Sequence, residues 1–140
     1  MKAYLTRRYR FPASHRLHNP AMSEAENCEI YGKCNNPHGH GHNYALEVTV
    51  AGAIDHETGM VCNLSALDQF VEQNVLDVFD HANLNTLPAF AEHIPSTENL
   101  CREIDRIFRK GFNSAKLDKL RIEETAKNSF EYAGGAEVRE

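Results

Sequence analysis

The sequence predicts an α+β fold: a four-stranded antiparallel sheet with two helices packed on one face, in the order ββααββ. Three observations predict it. Residues 43–51, "NYALEVTVA", set Tyr44, Leu46, Val48 and Val50 against Ala45, Glu47 and Thr49, the period-two alternation of a half-buried strand. The middle of the chain holds two stretches with apolar residues at helical spacing. The last part returns to strand-like segments, and strands on both sides of a helix pair imply an antiparallel sheet covered on one face.

Taken in order, residues 2–11 place Tyr4, Thr6 and Tyr9 among basic residues and read as the first strand. A polar, Glu-rich connection able to carry a short helix runs from Pro20 to Gly32, and residues 43–51 form the second strand. Residues 55–59 are turn-rich. The first long helix has Asn63 or Ser65 as N-cap and Leu64, Leu67, Val71, Val75 and Val78 on one face. The second starts after Pro95, with Ser96 as cap and Glu98 in the first turn, where a carboxylate complements the helix dipole. It carries Leu100, Ile104, Ile107 and Phe108 and stops at Gly111. "KLRIEET" (119–125) and "NSFEYAG" (128–134) complete the sheet, hinged at Lys127 and Asn128. No linker or repeat interrupts this order, so residues 1–140 read as one domain, with 136–140 expected to fray.

With 140 residues, 41% hydrophobic and 25% charged, the chain has the make-up of an ordinary globular domain. A net charge of -5 argues against nucleic-acid backbone as a partner but not against a small anionic substrate. The start, "MKAYLTRRYRF", lacks the apolar stretch of a signal peptide, and no run is long enough to cross a bilayer. Cys28, Cys34, Cys62 and Cys101 show no CxxC or framework spacing and read as reduced thiols in a cytoplasmic protein. Cys28, Cys62 and Cys101 suit small buried hydrophobes; Cys34, in a polar loop, does not.

That loop, "KCNNPHGHGHNY", sets His38, His40 and His42 at alternate positions. If the second strand extends back through the glycines, all three point to one face. Two of them with His15, from "FPASHRLH", would give three nitrogens and an open fourth position, as at a catalytic zinc. Spacing leaves open which two of the three ligate. Asp80 and His81, in "VFDHANLN", would make a proton relay if paired. Glu124 falls on the apolar side of its strand, where a carboxylate needs a donor partner. His18, His56 and His93 read as surface residues.

"FPASHRL", "YGKCNNPHGHGHNY", "GMVCNL", "DHANLN", "PSTEN" and "RIEET" occur in the order and spacing of the 6-pyruvoyltetrahydropterin synthases, and the resemblance covers residues 3–133. It implies the tunnelling fold (T-fold), with trimers closing their sheets into a barrel and two trimers stacking into a hexamer whose active sites lie between subunits. It implies zinc on His15, His40 and His42, leaving His38, where the family usually has asparagine or another polar residue, as a bystander. Cys34 matches the family's base, with Asp80 and His81 as its relay. Glu124, rather than Glu123, matches the pterin anchor, and Thr97 and Glu98 resemble residues lining the same pocket. The implied reaction takes 7,8-dihydroneopterin triphosphate to 6-pyruvoyltetrahydropterin with release of triphosphate, Zn2+ serving as Lewis acid. No GxGxxG or P-loop signature is present, in keeping with chemistry that needs no redox cofactor. Two rivals stand beside it: a 6-carboxytetrahydropterin synthase of the queuosine pathway, acting on the same substrate, and a zinc-stabilised binding module without turnover. Against the first, Cys34 and His40 have the C-x5-H-x-H spacing of the pyruvoyl-forming group. Against the second stands the presence of Cys34, Asp80, His81 and Glu124 together.

Overall fold

The computed structural model describes residues 2–133; the expected fraying at 136–140 lies outside the described residues. Its centre is a hairpin of two long strands, β1 (Lys2–His15) and β2 (His40–Ala53), antiparallel over their whole length. β4 (Lys116–Glu123) pairs antiparallel with β2, and β5 (Ser129–Tyr132) with β4. These are the four expected strands. A fifth, β3 (Ala82–Asn83), lies parallel to β1 at Ala13 and Ser14, giving the order β3-β1-β2-β4-β5. Two residues carry no periodicity, which is why no pattern announces β3.

β1 runs four residues past the predicted end at Phe11, to His15. Pro12 does not stop it, because β3 joins only from Ala13 onward and at Pro12 the strand still borders the sheet edge, where proline is tolerated. β2 reaches back only to His40: Gly39 has φ +73°, and a Cβ there would sit 3.2 Å from the His15 carbonyl oxygen. The strand therefore does not extend through both glycines, and His38 lies outside it, exposed.

Both long helices cover the same sheet face. α2 (Leu64–Val71) is capped by the Asn63 side chain and continues through a π turn at Glu72–Leu76 into α3 (Asp77–Phe79). Val78, expected on the buried stripe, is instead exposed and Phe79 is buried. The π turn adds a residue to the helical repeat and moves the apolar face on by one position. α4 (Thr97–Gly111) is capped by Ser96 as predicted. Leu67, Val71, Val75 and Phe79 meet Leu100, Ile104 and Phe108 over Tyr44, Leu46, Val48, Leu120 and Ile122 in one core. The Arg7 guanidinium grips Asp68 through Nε and Nη2 at 3.0 and 2.8 Å, and the Tyr9 hydroxyl donates to the same carboxylate, tying α2 to β1.

The Glu-rich connection does hold a helix, α1 (Glu24–Tyr31), started by a capping box between Ser23 and Glu26. It packs by polar contacts. Its buried residue is Asn27, which bonds the Asn19 backbone on both sides, while Ile30 and Cys28 are exposed. The reading of Cys28 as a buried hydrophobe is therefore corrected; Cys62 and Cys101 are buried as expected. No helix among the described residues is long and apolar enough to cross a membrane.

Candidate active site

The β1–β2 register sets His15 directly opposite His40, with His42 two residues further along the same face of β2. Their rings pack edge to face, centroids 4.6 to 5.0 Å apart. His15 is fully buried, and its Nδ1 lies 2.8 Å from the carbonyl oxygen of Pro95, the residue before the α4 cap. A carbonyl only accepts, so Nδ1 carries the proton and Nε2 offers its lone pair. That Nε2 stands 3.1 Å from His40 Nε2, near the ~3.3 Å separating two nitrogens on one tetrahedral zinc with bonds of about 2.0–2.1 Å. Burial holds the His15 and His40 rings below the usual histidine range, His40 further by its neighbour His42. Neutral imidazoles are the ligand form. His40 Nδ1 and His42 Nε2 are buried without any hydrogen-bond partner. Orphaned buried nitrogens are costly unless something fills them, and a bound metal cation would do so at His42 Nε2.

Two groups of donors meet at His15. One comprises His15, Cys34 and His40, the other His15, His42 and Glu124, each with its donor atoms within 4.8 Å of one another. Cys34 arrives on a 3-10 turn, Gly32–Asn35, stitched to the end of β1 by the Leu17 N–H donating to the Cys34 carbonyl at 2.7 Å. Asn35, buried, donates from Nδ2 to the Leu17 carbonyl and to His18 Nδ1. His18 is thus half-buried and bonded rather than a free surface residue, whereas His56 and His93 are exposed. Asn35 and Asn85, which clasps the Arg16 backbone by two hydrogen bonds, had no role in the sequence reading. They sit inside "GKCNNP" and "DHANLN", but only tertiary contacts reveal what they hold.

Burial, then the Glu124 charge, push the Cys34 thiol up rather than down. The protein's own groups therefore do not make it a thiolate, and a nearby cation would have to.

Glu124 follows β4 on the side of Leu120 and Ile122, while Glu123 turns to Arg121 on the other face. Its carboxylate lies 3.5 Å from His42 Nε2 and accepts a hydrogen bond from the Thr97 hydroxyl at the start of α4. Thr97, Glu98 and Glu124 line one cavity of about 360 Å³, so all three predicted pocket residues come together. Asp80 and His81 do not join them. His81 Nδ1 meets Asp80 3.1 Å away, but His81 is 78% exposed and belongs to neither donor group. Its φ of +58° is unusual for a residue with a side chain and is held by its N–H on the Pro12 carbonyl.

A long antiparallel sheet under two helices, with one buried and two half-buried histidines converging beside a cysteine and a glutamate, defines an α+β protein whose donor cluster could hold a metal ion. The chain belongs to the 6-pyruvoyl tetrahydropterin synthase family, whose pattern it matches over residues 4–135. It is 47% identical over 134 residues to the 6-pyruvoyl tetrahydrobiopterin synthase of Drosophila melanogaster, covering 94% of this chain and 80% of that protein. The structure of the Caenorhabditis elegans 6-pyruvoyl tetrahydropterin synthase superposes with a TM-score of 0.90 at 39% identity, covering 96% of this chain and 97% of that one. A putative 6-carboxy-5,6,7,8-tetrahydropterin synthase of Archaeoglobus fulgidus is 34% identical over 98 residues, 69% of this chain and 78% of that protein. The T-fold expected from the resemblance is the fold observed.

Proposed function

We propose that this chain is a zinc-dependent lyase, a 6-pyruvoyltetrahydropterin synthase that converts 7,8-dihydroneopterin triphosphate to 6-pyruvoyltetrahydropterin and releases triphosphate. The observation that carries the reading is the convergence of three histidines with a thiol and a Thr97-oriented carboxylate. Zinc on His15, His40 and His42 would supply Lewis acidity at the substrate's side-chain hydroxyls. Glu124 accepts from the donor edge of the pterin ring, and Thr97 fixes the rotation of its carboxylate. Cys34, which shares a donor group with His15 and His40, removes the proton on the side-chain carbons.

Asp80 and His81 lie outside both donor groups and are exposed, so they fit a role in a neighbouring copy's site. The outer edge of β1 before Ala13 and that of β5 have no strand partner among the described residues, and neighbouring sheets would close them. Together with the assembly the family resemblance implies, these edges support reading the active form as a hexamer of two stacked trimers. Its four free cysteines suit a cytoplasmic protein.

Glu124→Gln should weaken pterin binding about tenfold or more, because an amide nitrogen then faces ring donors and a charge-assisted bond is lost. Titration of pterin fluorescence measures this, and unchanged affinity would remove Glu124 as the anchor. The product is the test of the whole reading. The thiol lies on a C-x5-H-x-H loop, and loop length sets which proton it reaches. Mass analysis after incubation with dihydroneopterin triphosphate should show 6-pyruvoyltetrahydropterin as the main product. Acetaldehyde with a 6-carboxy pterin would instead make this chain the carboxy-forming enzyme.

A further inference from the structure

Of the six cations in the N-terminal half, Lys2 sits over the Tyr4 ring at the end of β1 away from His15, which leaves Arg7, Arg8, Arg10, Arg16 and Lys33 to meet a polyanionic substrate. The structure separates them. Arg7 is held by Asp68. Arg8 pairs with Glu47 at 2.7 Å. Arg8 and Arg10 alternate with the β1 positions that face the core, so both project from the sheet face opposite His15. Arg16 and Lys33 remain. Both line a cavity of about 550 Å³ that also reaches His40.

His40 is part of this cavity's lining, whereas the 360 Å³ cavity is lined by Glu124, whose carboxylate lies 3.5 Å from His42 Nε2. A substrate anchored by its ring at Glu124, with its side chain crossing the histidines, would carry its phosphates into the larger cavity. Arg16 is set for such a task. It directly follows His15, its backbone is clasped by Asn85 at 2.7 and 2.8 Å, and its Nε donates to the Asn35 carbonyl. No carboxylate forms an ion pair with Arg16 or Lys33 among the described residues, although Glu24 borders the same cavity. On a chain of net charge -5, two unpaired cations beside the site supply the local attraction that the global field does not. A guanidinium fork matches phosphate oxygens, and an ammonium adds a mobile point charge.

We infer that Arg16 and Lys33 form the triphosphate subsite, in the cavity that reaches His40 and apart from the one lined by Glu124. The inference rests on the pterin reading above. It is tested with the zinc-loaded protein and two unreactive oxidised ligands, neopterin and neopterin triphosphate, by fluorescence titration. Arg16→Gln, which keeps a donor for the Asn35 carbonyl, and Lys33→Gln should each cut the preference for the triphosphate about tenfold. Neopterin itself should bind within about twofold of wild type, which also reports an intact fold. A preference unchanged in both variants, or lost in Arg10→Gln instead, would overturn the assignment, as would equal weakening of both ligands. If wild-type protein bound triphosphate but not neopterin, the pterin reading would fall while the anion site stood.

Discussion

Alanine in place of His15, His40 or His42 is expected to abolish stoichiometric zinc, about one ion per chain in the parent protein, while His38→Ala retains it. Each of the three removes one of only three nitrogens, leaving a two-ligand site with much weaker hold. The effect should be largest at His15, whose proton is fixed on Nδ1 by the Pro95 carbonyl and whose Nε2 belongs to both donor groups. Such outer hydrogen bonds commonly change metal affinity 10–100-fold, roughly, so a fixed ligand is worth more than a free one. His38 is exposed, lies beyond the Gly39 turn and outside β2, and belongs to neither donor group. Metal analysis of the purified variants decides it: zinc lost from His38→Ala as fully as from His40→Ala would break the ligand assignment.

What the sequence discloses and what it withholds divide along physical lines. The alternation of Tyr44, Leu46, Val48 and Val50 and the caps Asn63 and Ser96 are local signals, and each element they announce is present. The side of Glu124 followed from strand parity alone, and its neighbours bear that out. By contrast, α1 buries Asn27 and exposes Ile30, so its packing runs against hydrophobic patterning and the exposure of Cys28 could not be read from it. The histidine pattern pointed to a possible metal site but not to its members. Only the register of His15 against His40, together with the turn at Gly39, separates His38 from the rest. Asp80 and His81 are neighbours in sequence and in space, yet nothing local tells that they fall outside both donor groups while His81 borders a pocket with His42; that depends on how β3 joins the sheet edge.

Cys34→Ala is expected to keep its zinc and fold while turnover falls on the order of a hundredfold or more, the loss typical of removing a general base. The thiol belongs to a donor group with His15 and His40, yet these histidines are anchored by β-strand register and by Pro95 rather than by the cysteine. The turn that carries residue 34 is held through its backbone and through Asn35, so shortening the side chain leaves those bonds in place. A small cavity should remain, with little change in stability, because Cys34 is only partly buried. Pterin affinity should persist as well, since Glu124 and Thr97 line a cavity of which Cys34 is no part. The decisive comparison is therefore turnover against zinc content and pterin binding in one preparation. If zinc left with the thiol, Cys34 would be a ligand; if the rate stayed near the parent's, it would be a structural residue, and the proton would have to go to His81 or to Glu124.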